Sequence, residues 1–73
     1  MTVEKLLEKG DDLIKRKKYE KALKAYENAI KINPDFAEAW KGKGVALLKR
    51  KRYYDALLAF DNAININKTF AKA

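Results

Sequence analysis

Apolar residues return along this chain at helical intervals. Val3, Leu6, Leu7, Gly10, Leu13 and Ile14 fall at i, +3, +4, +7, +10 and +11, which is one stripe of an amphipathic helix. Thr2 is placed to cap its start, because a threonine hydroxyl can accept a free first-turn N–H. The run Lys15-Arg16-Lys17-Lys18 is placed at its end, where positive charge complements the helix dipole. Tyr19, Ala22, Leu23, Tyr26, Ala29 and Ile30 repeat the spacing and predict a second helix, so close behind the first that the two fold back as a hairpin. It should stop before Asn33-Pro34, since proline pushes the preceding residue out of helical geometry. Asp35 and Glu38 have the spacing of a capping box for a third helix burying Ala37, Trp40, Gly44, Leu47 and Leu48. Lys49-Arg50-Lys51-Arg52 closes that helix. Tyr53, Ala56, Leu57, Phe60, Ala63 and Ile64 make a fourth, expected to end near Asn67.

The four stripes are two copies of one pattern. A step of 34 residues takes Gly10 to Gly44, Tyr19 to Tyr53, Ala22 to Ala56, Tyr26 to Phe60 and Ala29 to Ala63. At this offset about half of the comparable positions are identical, the mark of a stacked repeat architecture. Gly10 and Gly44 lie inside helices, where glycine costs roughly 1 kcal/mol relative to alanine. That cost is reasonable if another helix presses on the bare backbone. Ala22 and Ala56 supply matching small surfaces, and Tyr26 and Phe60 fill the space beside them. The expected fold is therefore all-α, a solenoid of antiparallel helix hairpins. It forms one domain over 1–73, with a first repeat at about 3–36, a second at about 37–70, and the start of a third at 69–73.

Composition narrows the chemistry. The 73 residues contain no cysteine and no histidine. That removes disulfides, the usual zinc ligand sets and Ser/His or Cys/His nucleophiles. No cofactor or metal is expected. Glu4, Glu8, Asp11 and Asp12 cluster on the first helix, but two helix hairpins offer no deep pocket to shift a carboxylate into acid–base work, so the expectation is a protein that is not an enzyme. The formal net charge is +7 with 37% charged residues, which favours acidic partners. No apolar run has the length of a membrane span and no signal-peptide core precedes the first helix, so a cytoplasmic protein is expected. Asn67-Lys68-Thr69 fits a glycosylation sequon, read as chance without a secretory signal.

The residues resemble the tetratricopeptide repeat, whose pattern runs W-x-x-L-G-x-x-Y, then A-x-x-x-F, then P, over 34 residues. Trp40, Gly44, Ala56 and Phe60 match in the second copy. Gly10, Ala22, Tyr26, Ala29 and Pro34 match in the first, with Leu6 standing where tryptophan would be. Lys9 and Lys43 replace the leucine, Leu13 and Leu47 replace the tyrosine, and Lys68 replaces the closing proline. The resemblance implies a right-handed superhelix and a concave groove, lined by the first helix of each pair, that binds peptide or protein segments. Carried onto this chain, the groove positions are Glu4, Leu7, Asp11 and Lys15, then Glu38, Lys41, Val45 and Lys49. A subclass that clamps the carboxylate of chaperone tails would need lysine and asparagine where this chain has Leu7, Asp11 and Gly42, and is disfavoured.

Two further readings use other surfaces. Stacking would set the basic runs Lys15, Arg16, Lys17, Lys18 and Lys49, Arg50, Lys51, Arg52 along one edge, an alternative site for nucleic acid, with Tyr54 free to stack on a base. Dipole-compensating turn residues are the simpler account. Tyr53 and Trp40 fall on repeat stripes and are expected in the core. Because a solenoid normally ends in a polar capping helix, the uncovered face of the fourth helix predicts self-association or domain exchange, as expected of a fragment of a longer array.

Overall fold

The computed structural model describes residues 2–71 and contains four helices, α1 (Val3–Lys15), α2 (Tyr19–Ile32), α3 (Ala37–Lys49) and α4 (Tyr53–Ala71). Among the described residues there is no strand. The connections are short turns, so α1 and α2 form one antiparallel hairpin and α3 and α4 the next. α2 packs against both α1 and α3, and α1 also touches α3, whereas α4 touches only α3. The two hairpins thus lean side by side as a stack, the all-α repeat arrangement expected from the 34-residue period.

The core is built largely from alanine. Ala22, Leu23, Ala25 and Tyr26 of α2, Ala46 and Leu47 of α3, Ala56 and Ala59 of α4, and Leu13 of α1 belong to one buried cluster that runs through the stack. A smaller cluster joins Leu6, Ala29 and Ala39. Small side chains let helix axes approach closely, and Tyr26 fills what remains: it is 2% exposed, and the largest fully buried side chain. Its ring lies against bare backbone on both sides. A Cβ added to Gly10 would fall 2.6 Å from Tyr26 Cζ, and one added to Gly42 would fall 2.5 Å from the same atom. Phe60 occupies the equivalent place beside Gly44, where an added Cβ would meet Phe60 Cε1 at 2.7 Å.

The helix ends follow local chemistry, with two departures from expectation. Thr2 caps α1, its hydroxyl accepting from the Lys5 N–H at 3.2 Å. Asp35, expected as the cap of α3, does not act as one: α3 starts at Ala37 behind Phe36, with no side-chain cap. Asn33 takes over the turn instead. Its side-chain oxygen accepts from the Asp35 N–H at 3.1 Å and its carbonyl accepts from the Phe36 N–H at 3.2 Å. The Asp35 backbone is thereby committed to the Asn33 turn, one residue too early to start the helix. Nor does α4 stop near Asn67. It runs on to Ala71, because Lys68 stands where Pro34 broke α2 and exerts no steric push on Asn67. Residues 69–71 therefore continue α4 without the turn expected before a third unit, and residues 72 and 73 lie outside the described residues.

The two basic turns share one backbone device. Lys18 donates to the Leu13 carbonyl at 2.8 Å and Lys17 to that of Ile14 at 2.9 Å. Arg52 and Lys51 repeat this on Leu47 and Leu48, both at 2.9 Å. This paired pattern closes a helix by placing one residue in the left-handed region, usually glycine. Here it is lysine, Lys17 at φ 62° and Lys51 at φ 63°, where a side chain is strained by about 1–2 kcal/mol. Lys17→Gly and Lys51→Gly should each raise stability by about 0.5–1 kcal/mol in denaturant titration, the relief exceeding the added flexibility of the unfolded chain. Gly42→Ala should do the reverse. The clash with the Tyr26 ring outweighs the better helix propensity of alanine, for a net loss of about 1–3 kcal/mol.

Candidate functional site

α1 and α3 run the same way along one side of the stack and carry all eight positions expected to line a groove. Glu4, Asp11, Lys15, Glu38, Lys41 and Lys49 are exposed, while Leu7 and Val45 are half-buried between them. The helices are parallel and in register, so like charges stand side by side. Glu4 and Glu38 lie in the first turns and Lys15 and Lys49 in the last turns. The face therefore has an acidic end, a middle where half-buried Leu7 and Val45 stand beside exposed Lys41 and Asp11, and a basic end. The helix dipoles partly offset both charge rows. Two helices make a shallow face, and it is open: none of the eight positions lines the surface hollows found in the seams where α2 meets α1 and where α2, α3 and α4 meet.

Asp11 has a structural partner that spacing did not reveal. The buried Tyr26 hydroxyl donates to Asp11 Oδ1 across the α1–α2 interface. This satisfies the phenol, which would otherwise be left unpaired in the core at a cost of about 1–3 kcal/mol. Burial, followed by the hydrogen bond and the negative charge of Asp11, holds the Tyr26 phenol well above the usual tyrosine range. Of the groove positions, Asp11 is thus already engaged within the chain.

The basic runs come together at one edge. A surface hollow there is lined by Lys17, Lys18, Tyr19, Glu20, Lys21 and Arg50, and Arg50 pairs with Glu20 across the two hairpins. Each arginine of the runs has a carboxylate partner: Arg16 with Asp12 at 3.1 Å, Arg52 with Asp55 at 2.7 Å, and Arg50 as above. Lys17 and Lys51 sit at the left-handed positions of their turns. The edge is less available to phosphate than its composition suggests, since its fork-shaped donors are occupied and Glu20 lies among them.

Trp40 is half-buried against the main core, as its repeat position required. Its indole N–H donates to the Pro34 carbonyl at 2.8 Å, and the Lys43 ammonium lies 5.4 Å from the ring centroid. The indole thus pins the inter-repeat turn to α3. Tyr53 is not in the core where its stripe placed it, being 60% exposed. The reason is that Tyr19, its equivalent, has α3 beside it and Tyr53 has no such neighbour among the described residues. Leu57 shows the same effect: Leu23 is 5% exposed and Leu57 is 55% exposed. Gly42 was passed over because periodicity searches for sameness, and its equivalent is Glu8. A second glycine two residues before Gly44, inside a helix, is the signal that could have found it.

The family model described as tetratricopeptide repeat matches residues 7–71. No curated protein matches the chain. Among the described residues no helix is long and apolar enough to cross a membrane.

The raised Tyr26 titration predicts an alkaline limit to stability. The folded state holds the neutral phenol more firmly than the unfolded chain, whose tyrosine titrates near pH 10. This contribution is complete below that pH and is lost progressively as pH rises above it. Tyr26→Phe should abolish this part of the slope between about pH 10 and pH 12. Denaturant midpoints of the two proteins, compared across that range, measure the difference while lysine titration cancels.

Proposed function

The chain belongs to the tetratricopeptide-repeat family, and on that premise we propose that its α1/α3 face binds an extended peptide or protein segment. Repeats of this family serve generally as non-catalytic scaffolds for protein–protein interaction. The observation that carries the finer reading is the charge order of the face: Glu4 and Glu38 at one end, Leu7 and Val45 in the middle, Lys15 and Lys49 at the other. Such a face selects a segment with an apolar centre and opposed ends. Acidic residues would lie toward Lys15 and Lys49, and a basic residue toward Glu4 and Glu38. The excess of positive charge, +7 over the whole chain, favours segments that are acidic overall. Polar rim charges of this kind set orientation and encounter rate more than affinity, so binding should be weak and salt-sensitive.

A second reading concerns α4. Leu57, Tyr53 and Ile64 are at least half-exposed on one side of it, which supports association of the 73-residue chain with itself. The nucleic-acid alternative has less support, because the arginines of the basic edge are already paired with carboxylates.

A peptide array graded in charge order tests the main reading. Peptides with an acidic end, an apolar centre and a basic end should bind best. The double variant Lys15→Glu with Lys49→Glu should lower affinity about tenfold or more and leave the helical circular dichroism unchanged. A folded chain that ignores charge order, or a double variant that binds as before, would remove the proposal. Salt-sensitive binding of RNA or DNA that Lys49→Glu weakens would favour the basic edge instead.

A further inference from the structure

The joint between α2 and α3 shows what the open side of α4 requires, and the same chemistry shows what cannot fill it. α3 covers α2 with Ala39, Gly42 and Ala46, and the Tyr26 ring rests on the backbone of Gly42. One repeat earlier, α1 carries Lys5, Glu8 and Asp12 at those positions, all exposed. Stacking copies head to tail with the internal geometry would place α1 of one chain on α4 of another. Glu8 would then fall on Phe60 where Gly42 falls on Tyr26, a place where even a Cβ meets the ring at 2.5 Å. Lys5 would lose water against an apolar helix, as would Asp12 with the ion pair it forms with Arg16. The α1 side is therefore closed to such a stack by both volume and charge.

The α4 side is neither crowded nor charged. Tyr53, Leu57, Phe60 and Ile64 fall on one helical stripe, and Leu48 near the end of α3 is a further apolar side chain left 45% exposed. Their spacing is 4, 3, 4, which reads the same in both directions along the helix. A second α4 laid antiparallel on the first therefore sets Tyr53 against Ile64 and Leu57 against Phe60, apolar residue on apolar residue throughout. A surface that complements itself in this way forms an isologous, two-fold contact that closes at two chains.

We infer that the 73-residue chain forms a closed tail-to-tail dimer through α4, with Tyr53, Leu57, Phe60, Ile64 and Leu48 of each copy at its centre, and not a head-to-tail filament. The inference rests on the self-association reading above and adds its geometry. Two copies would bury on the order of 1,000 Å² in total, the low end for a specific interface, so the dimer dissociates on dilution. The two α1/α3 faces are left outside the contact, so that each copy keeps its peptide-binding surface.

Sedimentation equilibrium of the 73-residue chain from about 10 μM to about 1 mM reads the outcome. Monomer passing to dimer, with no larger species, is the expected result. Leu57→Glu and Ile64→Lys should each hold the chain monomeric with its helical signal intact, since both side chains already face water; Glu8→Arg on the opposite side should leave the dimer unchanged. Because the chain has no cysteine, oxidising a mixture of Tyr53→Cys and Ile64→Cys chains should give mainly the mixed disulfide. Growth beyond the dimer that Glu8→Arg suppresses would overturn the closed dimer and leave self-association standing. A monomer at every concentration would overturn both, and preferential Tyr53→Cys homodimers would overturn the antiparallel arrangement.

Discussion

The fold depends on an aromatic ring resting on helix backbone. Tyr26 is held between Gly10 of α1 and Gly42 of α3, so that one side chain joins three helices by van der Waals contact. Remove either glycine and the ring must move; remove the ring and two helices face each other across empty space. The surrounding alanines make sense in this light. Ala22, Ala29, Ala39 and Ala46 are essentially inaccessible, and each contributes mainly by being small enough to let the helices come close. Large-to-small economy of this kind produces a thin stack, 36 × 29 × 17 Å, in which geometry and not bulk hydrophobicity sets the alignment of the repeats.

Much of this was legible in the residues alone, for a physical reason. A helix buries one stripe, the stripe recurs every 34 positions, and recurrence at fixed spacing requires neighbours that stack. The failures are equally physical. Tyr53, Leu57 and Ile64 share the pattern of Tyr19, Leu23 and Ile30, but burial belongs to a residue and its neighbour together, and α2 has a helix on each side where α4 has α3 alone among the described residues. Gly42 escaped notice because it interrupts the repeat, and the interruption is where the inter-repeat joint is made. Ala25 and Ala59 are buried outside the expected stripes, since alanine carries too little hydrophobic signal to distinguish core from surface. Asp35 had the composition of a cap but lost the position to Asn33, whose side chain formed the turn first in sequence.

The eight candidate positions were legible as places on two parallel helices, and their chemistry less so. All eight groove positions sit on α1 and α3, but Asp11 proves to be the acceptor for Tyr26, so a residue expected to meet a partner also satisfies the core. The basic runs have a comparable second use. They terminate helices, pair through their arginines, and supply lysines to two left-handed backbone positions. Lysine in place of glycine there retains strain that a purely structural turn would have shed.

The single neighbour of α4 has a consequence for how the chain comes apart. In a linear stack each element is secured by the elements on its two sides, so cooperativity is graded along the array. α2 cannot leave without breaking contacts to both α1 and α3, whereas α4 can peel away by giving up α3 alone. Amide hydrogen exchange in isolated chains should therefore be fastest in α4 and slowest in α2 and α3, an opening gradient that begins at the very helix whose outer side is bare.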